Sequence, residues 1–148
     1  METKNRILVV DDDDAIRTLL LTVLRRRGFA VDVARNGEDA IEAMQRCRYA
    51  VALVDLMMPV KNGWEVLDWM ASCPKADRPL AIVLTAGLGT REMNPDVVAG
   101  TVRKPFDVEL LLDMVHACAS VCDLVQREEC PPPDSNRANE RRTGNDVN

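Results

Sequence analysis

The segment ILVVDDDDAIR, residues 7–17, runs from four apolar residues directly into four consecutive carboxylates. A short apolar run rich in β-branched residues is typical of a buried strand. Beyond it, apolar residues recur at the spacing of one helix face, until three arginines and Gly28 mark a helix end. The segment therefore predicts a strand over Arg6–Val10, a helix beginning near Asp14, and an acidic connection between them.

The acidic connection needs an explanation, because like charges ~4 Å apart repel by about 4 kcal/mol at an effective dielectric constant near 20. We expect Asp14 to be the helix N-cap, where a carboxylate accepts backbone hydrogen bonds and faces the positive end of the helix dipole. Asp13 is then a solvated neighbour. This interpretation leaves Asp11 and Asp12 without a role.

Strand-like and helix-like segments alternate along the rest of the chain. Helical spacing separates the apolar runs, and Asn36 and Asp107 are suited to cap two of the helices. This order is typical of a parallel sheet covered on both faces, so the predicted fold class is doubly wound α/β. The further predicted strands are Ala30–Ala34, Val51–Asp55, Pro79–Thr85 and Gly100–Lys104.

Composition narrows the class of protein. The 148 residues fit one domain, and a net charge of −5 argues against a duplex-DNA binder. No segment approaches the ~20 apolar residues that span a bilayer, and the polar start METKNR is unlike a signal peptide. We therefore expect a cytoplasmic protein with no membrane segment. Five cysteines without zinc-type spacing indicate reduced thiols.

The character of the chain changes near its end. The stretch CPPPDSNRANERRTGNDVN, from Cys130 onward, has three prolines and almost no apolar residues. Such a segment buries too little surface to offset its ordering entropy. We expect a domain over residues 1–126, and over 127–148 the end of the last helix followed by a disordered polar tail.

Polar side chains fall at the carboxyl ends of four predicted strands. Asp11 and Asp12 follow the first strand, Asp55 ends the third, Thr85 ends the fourth and Lys104 ends the fifth. In an open parallel sheet these ends meet at one edge, which is the usual ligand site. Each residue alone has an ordinary structural explanation, so the prediction of a site there depends on their joint placement.

Four stretches resemble the receiver domain of two-component response regulators: ILVVDDDDAIR, VALVDLMMPVKNG, IVLTAG and RKPFD. The resemblance covers about residues 5–125 and implies a five-stranded parallel sheet in the order 2-1-3-4-5. It also implies a phosphoacceptor that receives a phosphoryl group from a histidine kinase or a histidine phosphotransfer protein. Such a domain assists its own phosphorylation and dephosphorylation but is not an enzyme in the usual sense.

The resemblance assigns the acidic residues to phosphorylation and metal binding. Asp55 would be the phosphorylated aspartate, and Asp11 and Asp12 would bind Mg²⁺ or Mn²⁺ together with it. Met57 would contribute its backbone carbonyl to the metal. These roles agree with the chemistry, because Mg²⁺ prefers carboxylates and phosphate oxygens and phosphoryl transfer needs neutralising cations.

The resemblance assigns the remaining residues to the switch. Thr85 would sense the phosphoryl group and Lys104 would pair with it. Ala86 would leave room for the phosphoryl group, and Lys104–Pro105 would be a cis peptide bond.

Two features depart from the family pattern. The segment between Thr85 and Lys104 is short and contains Gly87, Gly89 and Pro95, which predicts a shortened or irregular fourth helix. Thr101 also stands where the family often has an aromatic residue that moves on phosphorylation. We therefore expect a monomer in which phosphorylation drives little dimerisation.

Several alternatives remain open at this point. Output would come from binding an unknown downstream protein, or from passing the phosphoryl group onward in a phosphorelay. The chain is alternatively a receiver fragment of a hybrid histidine kinase, or an interaction module that works without phosphorylation. An aspartate-nucleophile phosphatase is a further class, although no additional motifs of one are visible.

Overall fold

Strands and helices alternate in a computed structural model that describes residues 6–58, 60–86 and 92–125, with the side chains of 122–125 outside the description. Within these residues there are five strands, four α-helices and one short 3₁₀ turn at Lys75–Asp77. The elements are β1 Arg6–Val10, α1 Asp14–Arg26, β2 Ala30–Ala34, α2 Gly37–Arg46, β3 Val51–Asp55, α3 Gly63–Ser72, β4 Leu80–Thr85, β5 Val98–Arg103 and α4 Val108–Val125.

The five strands form one parallel sheet in the order β2-β1-β3-β4-β5, which confirms the predicted fold. The first three strands have the predicted bounds. β4 begins one residue later than predicted, and β5 runs over Val98–Arg103 instead of Gly100–Lys104. Because β3 is central, Asp55 lies at the carboxyl end of a strand that is paired on both sides.

The core consists of two layers, one on each face of the sheet. α1 and α4 cover one face through residues such as Leu20, Leu24 and Leu111. α2 and α3 cover the other face, where Ala40 and Met70 are fully buried. All five residues of both β1 and β3 are buried, which explains why these strands appear in the sequence as continuous apolar runs.

The start of α1 corrects one prediction. Asp13, not Asp14, is the N-cap: its carboxylate accepts hydrogen bonds from the backbone N–H groups of Ala15 and Ile16. Asp11 explains the difference, because its Oδ1 accepts the Asp13 N–H at 2.9 Å while Asp13 is extended, with φ −84° and ψ 117°. Asp14 is therefore the first helical residue.

Side-chain caps begin the other three helices. The predicted caps are confirmed: Asn36 accepts the Asp39 N–H at 2.8 Å, and Asp107 accepts N–H groups of the first turn of α4. Asn62 and Glu65 form a reciprocal capping box at α3 that the sequence analysis did not identify. These caps fix where α2, α3 and α4 begin, beyond the carboxyl ends of the strands.

The connection from β4 to β5 lacks a helix in its described part. Residues 92–94 are irregular, and a turn at residues 95–97 leads into β5, whose register with β4 shifts at Ala81/Ile82. This agrees with the predicted shortened or irregular fourth helix, whose residues 87–91 lie outside the described residues. The predicted tail, 127–148, also lies outside them. None of the described helices is long and apolar enough to cross a bilayer.

Candidate functional site

Three carboxylates meet at the carboxyl edge of the sheet. Asp11 and Asp12 follow β1, and Asp55 ends the neighbouring strand β3. One oxygen from each lies within 4.8 Å of the others. Asp11 is 0% exposed and Asp55 is 5% exposed, while Asp12 faces solvent. The sequence therefore places two buried negative charges and one exposed one around a single point.

Lys104, which directly follows β5, supplies a cation to this cluster. Its Nζ lies 3.0 Å from Asp11 Oδ2 and 3.5 Å from Asp55 Oδ1. Burial tends to lower the pKa of Lys104, but the hydrogen bond and charge of Asp11 and the charge of Asp55 outweigh it, so its pKa is raised. The side chain is therefore an ammonium ion between two carboxylates.

The ends of β4 and β5 hold the two predicted switch residues together. The Lys104 N–H donates to the Thr85 carbonyl at 2.7 Å, and the Thr85 residue is buried at the end of β4. Ala86 follows and is exposed. The Lys104–Pro105 peptide bond is cis, as the resemblance implied. The described residues thus place Thr85 at the end of β4 and Lys104 directly after the adjacent β5, at the edge that carries the acidic cluster.

The loop after β3 folds back over the end of that strand. The Met57 N–H donates to Asp55 Oδ1 at 3.2 Å, while the Met57 residue is 71% exposed. Gly63 closes the loop so tightly that a Cβ there would lie 2.4 Å from the Asp55 carbonyl oxygen. Any larger residue at Gly63 would therefore displace the strand end that carries Asp55.

A second close approach anchors the same loop to α2. The Gly37 N–H donates to the Lys61 carbonyl at 2.9 Å, and a Cβ on Gly37 would lie 2.3 Å from that oxygen. Gly37 could not be predicted as a site residue from the sequence, because its partner lies in a separate loop and the contact leaves no local pattern.

The loop also contains a strained residue, which leads to a prediction. Val60 has φ 69° and is 74% exposed. A β-branched residue in this left-handed region costs roughly 1–3 kcal/mol, whereas glycine adopts it freely. We expect Val60→Gly to raise the free energy of unfolding by about 1 kcal/mol after its greater unfolded-state entropy is counted. Urea denaturation measures this, with Val60→Ala as the control that keeps most of the strain; a lower midpoint for the glycine variant would contradict it.

The environment of Asp55 favours its protonated form. Burial and the neighbouring charge of Asp11 raise the pKa of Asp55 from 3.8 to about 6, although the Met57 N–H and Lys104 act in the opposite direction. At neutral pH, without a metal, the ionised carboxylate therefore destabilises the folded protein.

This shift predicts a stabilising substitution. Because the pKa is raised on folding, the contribution of Asp55 to stability is fully present below pH 3.8 and is lost as the pH rises through about 6. Asparagine does not titrate, so in EDTA at neutral pH we expect Asp55→Asn to raise the free energy of unfolding by about 1–3 kcal/mol. Urea denaturation between acidic and neutral pH measures the gap between the proteins. A gap that does not widen toward neutral pH would contradict the assignment.

All the predicted site residues in the described chain lie at this edge, including Pro105 directly after Lys104. Sequence reasoning missed Arg17, whose guanidinium donates to the Asp11 carbonyl at 2.9 Å. The only signal was its position one turn into a helix that follows the acidic run.

Comparison with known proteins agrees with this geometry. A sequence model of the family described as "Response regulator receiver domain" matches residues 7–116. Protein Rrf1 of Nitratidesulfovibrio vulgaris is 38% identical over 110 residues, which cover 74% of this chain and 79% of Rrf1. Response regulator MprA of Mycobacterium leprae is 37% identical over 115 residues. That match covers 76% of this chain but spans only about half, 50%, of MprA.

A solved structure is similar over the same region. The response regulator protein TrrA of Thermotoga maritima, crystallised in complex with Mg²⁺-BeF, is 32% identical and superposes with a TM-score of 0.69. The match covers 77% of this chain and 98% of the TrrA chain.

Proposed function

This chain belongs to the response regulator receiver domain family of two-component signalling, and from that membership we propose that it is a phosphoacceptor switch. In this proposal Asp55 receives a phosphoryl group, and the modified domain changes its interactions with other proteins. The observation that supports it most is the meeting of Asp55, Asp11, Asp12 and Lys104 at one sheet edge.

The donor set fits a divalent cation. Three carboxylate oxygens within 4.8 Å of one another are hard ligands of the kind that Mg²⁺ and Mn²⁺ bind. Among the described residues, Lys104 is the one cation paired with the two buried carboxylates, so this part of the cluster holds more negative than positive charge. We propose that Asp11, Asp12 and Asp55 hold the metal and that the Met57 carbonyl completes the protein ligands. When bound, the metal neutralises charge on the carboxylates and on the phosphoryl oxygens.

Each residue of the cluster then has its own role in phosphoryl transfer. An Asp55 carboxylate oxygen attacks phosphorus, the bond to the donor breaks, and the electron pair leaves with the donor, giving an acyl phosphate. Lys104 offers a cation beside Asp55 that can pair with a phosphoryl oxygen. Thr85 would donate its hydroxyl to another, and the small Ala86 leaves room. The backbone hydrogen bond from Lys104 to Thr85 would let both residues respond together to the phosphoryl group.

The proposed partners follow from this chemistry. A histidine kinase or a histidine phosphotransfer protein would supply the phosphoryl group, in the cytoplasm where kinases draw on ATP. Output would be through a downstream protein rather than DNA, in keeping with the net charge of −5. Thr101 stands where the family often has an aromatic residue that moves on phosphorylation, and an irregular β4–β5 connection stands where the family has a fourth helix. For these reasons we propose that the chain stays monomeric.

The alternative function, an interaction module that works without phosphorylation, is not favoured.

One experiment tests the proposed function. The full chain is incubated with Mg²⁺ and a small-molecule phosphodonor and examined by intact-mass spectrometry. We expect the mass gain of one phosphoryl group, stable in acid and labile in base as an acyl phosphate is. No gain at any Mg²⁺ concentration would contradict the proposal.

We also propose that residues 1–126 are the receiver domain and that residues 127–148 end the last helix and continue as a polar tail. The three prolines and scarce apolar residues of the tail support this. Deleting residues 131–148 should leave the melting temperature and the phosphorylation yield almost unchanged. Calorimetry and intact mass check both; a loss of several degrees would mean that the tail packs on the domain.

A further inference from the structure

Arg17, in the first turns of α1, has a largely buried side chain with two hydrogen-bond partners. Its side chain is only 14% exposed, although Asp14 beside it is 87% exposed. Its Nη1 donates to the Asp11 carbonyl at 2.9 Å, and its Nη2 is hydrogen bonded to the Asp14 carboxylate. The guanidinium therefore joins both ends of the acidic connection.

The contact with Asp11 completes a full set of partners for that residue. The Asp11 N–H donates to the Ala34 carbonyl at 3.1 Å, Oδ1 accepts the Asp13 N–H, and Oδ2 accepts Lys104 Nζ. With Arg17 on the carbonyl, every polar atom of this fully buried residue is bonded. Loss of the Arg17 bond would leave a buried carbonyl short of a donor, which the loop would relieve by moving.

The geometry points to a role for this bond in metal binding. The Asp11 carbonyl belongs to the peptide plane that joins Asp11 to Asp12, so fixing its oxygen fixes the direction in which Asp12 leaves β1. Asp12 is the exposed member of the acidic cluster, so packing constrains its side chain less than those of the buried Asp11 and Asp55. We propose that Arg17 is a positioning residue that holds Asp12 against Asp11 and Asp55 for the divalent cation. The inference rests on the proposed function.

Two effects of Arg17 on metal affinity have opposite signs. Its positive charge repels a cation, so removing it should tighten binding if charge alone matters. Its hydrogen bond organises the ligands, so removing it should weaken binding if position matters. Arg17→Lys keeps the charge but replaces the planar fork with a single ammonium that cannot serve both partners equally. Arg17→Met keeps the aliphatic packing and removes both bonds.

The experiment measures Mn²⁺ binding by the full chain from the EPR signal of the free ion, in about 0.5 M KCl to screen charge effects. We expect Arg17→Met to weaken binding about tenfold, as is typical when a partner of a metal ligand is removed. Arg17→Lys should be weaker than wild type as well. The control Arg25→Met, on the exposed last turn of α1, should bind as wild type does. Affinities unchanged or tighter in both Arg17 variants would overturn the inference.

A second, metal-free measurement separates positioning from a general loss of stability. In EDTA, hydrogen exchange of the Asp13 amide should be faster in the Arg17 variants, since its acceptor is the Asp11 carboxylate. Amides in the centre of β3 should exchange as in wild type. Exchange accelerated equally at both places would overturn the positioning role. If wild type itself binds no Mn²⁺, the proposed metal site fails together with this inference; unchanged variants overturn this inference alone.

Discussion

Asp55→Asn should abolish phosphorylation by a small-molecule donor while leaving the protein folded. The asparagine amide has nearly the same shape as the carboxylate but is not a nucleophile toward phosphorus, so we expect a loss of at least roughly 100-fold in rate. The other carboxylates of the cluster are poor substitutes. Asp11 is fully buried, and the exposed Asp12 lacks the ion pair with Lys104 that Asp55 makes. Intact-mass spectrometry over a time course with Mg²⁺ measures the loss.

The matched control is Asp68→Asn, which makes the same chemical change at an exposed carboxylate on α3. It should be phosphorylated at the wild-type rate. Urea denaturation of both variants in EDTA shows that the loss is not unfolding, since the Asp55 variant should be the more stable protein. A wild-type phosphoryl yield in Asp55→Asn would move the acceptor to another residue and overturn the assignment.

The parts of the fold that were predictable from sequence share a physical cause. β1 and β3 are buried on both faces, so each appears as a continuous apolar run with a sharp polar end. That sharp end is also what places Asp11 and Asp55 at one edge. The local pattern and the tertiary position coincide here because a parallel sheet brings its strand ends together.

The errors and omissions have a different cause. Asp14 was predicted as the helix cap, but the Asp11 carboxylate holds the Asp13 N–H and so makes Asp13 the cap. Gly37, the first residue of α2, contacts Lys61 in the loop after β3, and no periodicity in the sequence indicates that contact. Each depends on where a side chain or a carbonyl points in three dimensions. A pattern of residue types can identify the carboxylates of the site, but not the bonds that orient them.

The second large effect should follow from removing Asp12, the exposed member of the proposed metal site. Mg²⁺ binding only to the folded state stabilises it by RT ln(1 + [Mg²⁺]/Kd), which is about 1.4 kcal/mol at ten times Kd. Asp12→Ala removes one of the three proposed carboxylate ligands. If Kd rises roughly 100-fold, the stabilisation at the same Mg²⁺ concentration falls below about 0.1 kcal/mol. We therefore expect the Mg²⁺-dependent rise in melting temperature to vanish in Asp12→Ala, and phosphorylation to slow strongly.

Differential scanning calorimetry in MgCl₂, against KCl of matched ionic strength, isolates specific binding from screening of the acidic cluster. Asp68→Asn again serves as the control, since it also removes one negative charge but should keep the full Mg²⁺ shift. Without metal, Asp12→Ala should melt no lower than wild type, because the Asp12 charge repels Asp55 and helps to raise its pKa. These two expectations differ in sign, so a general loss of structure would not mimic them. A normal Mg²⁺ shift in Asp12→Ala would show that the cation does not need the Asp12 carboxylate, and would overturn the proposed role of Asp12 as a ligand beside Asp11 and Asp55.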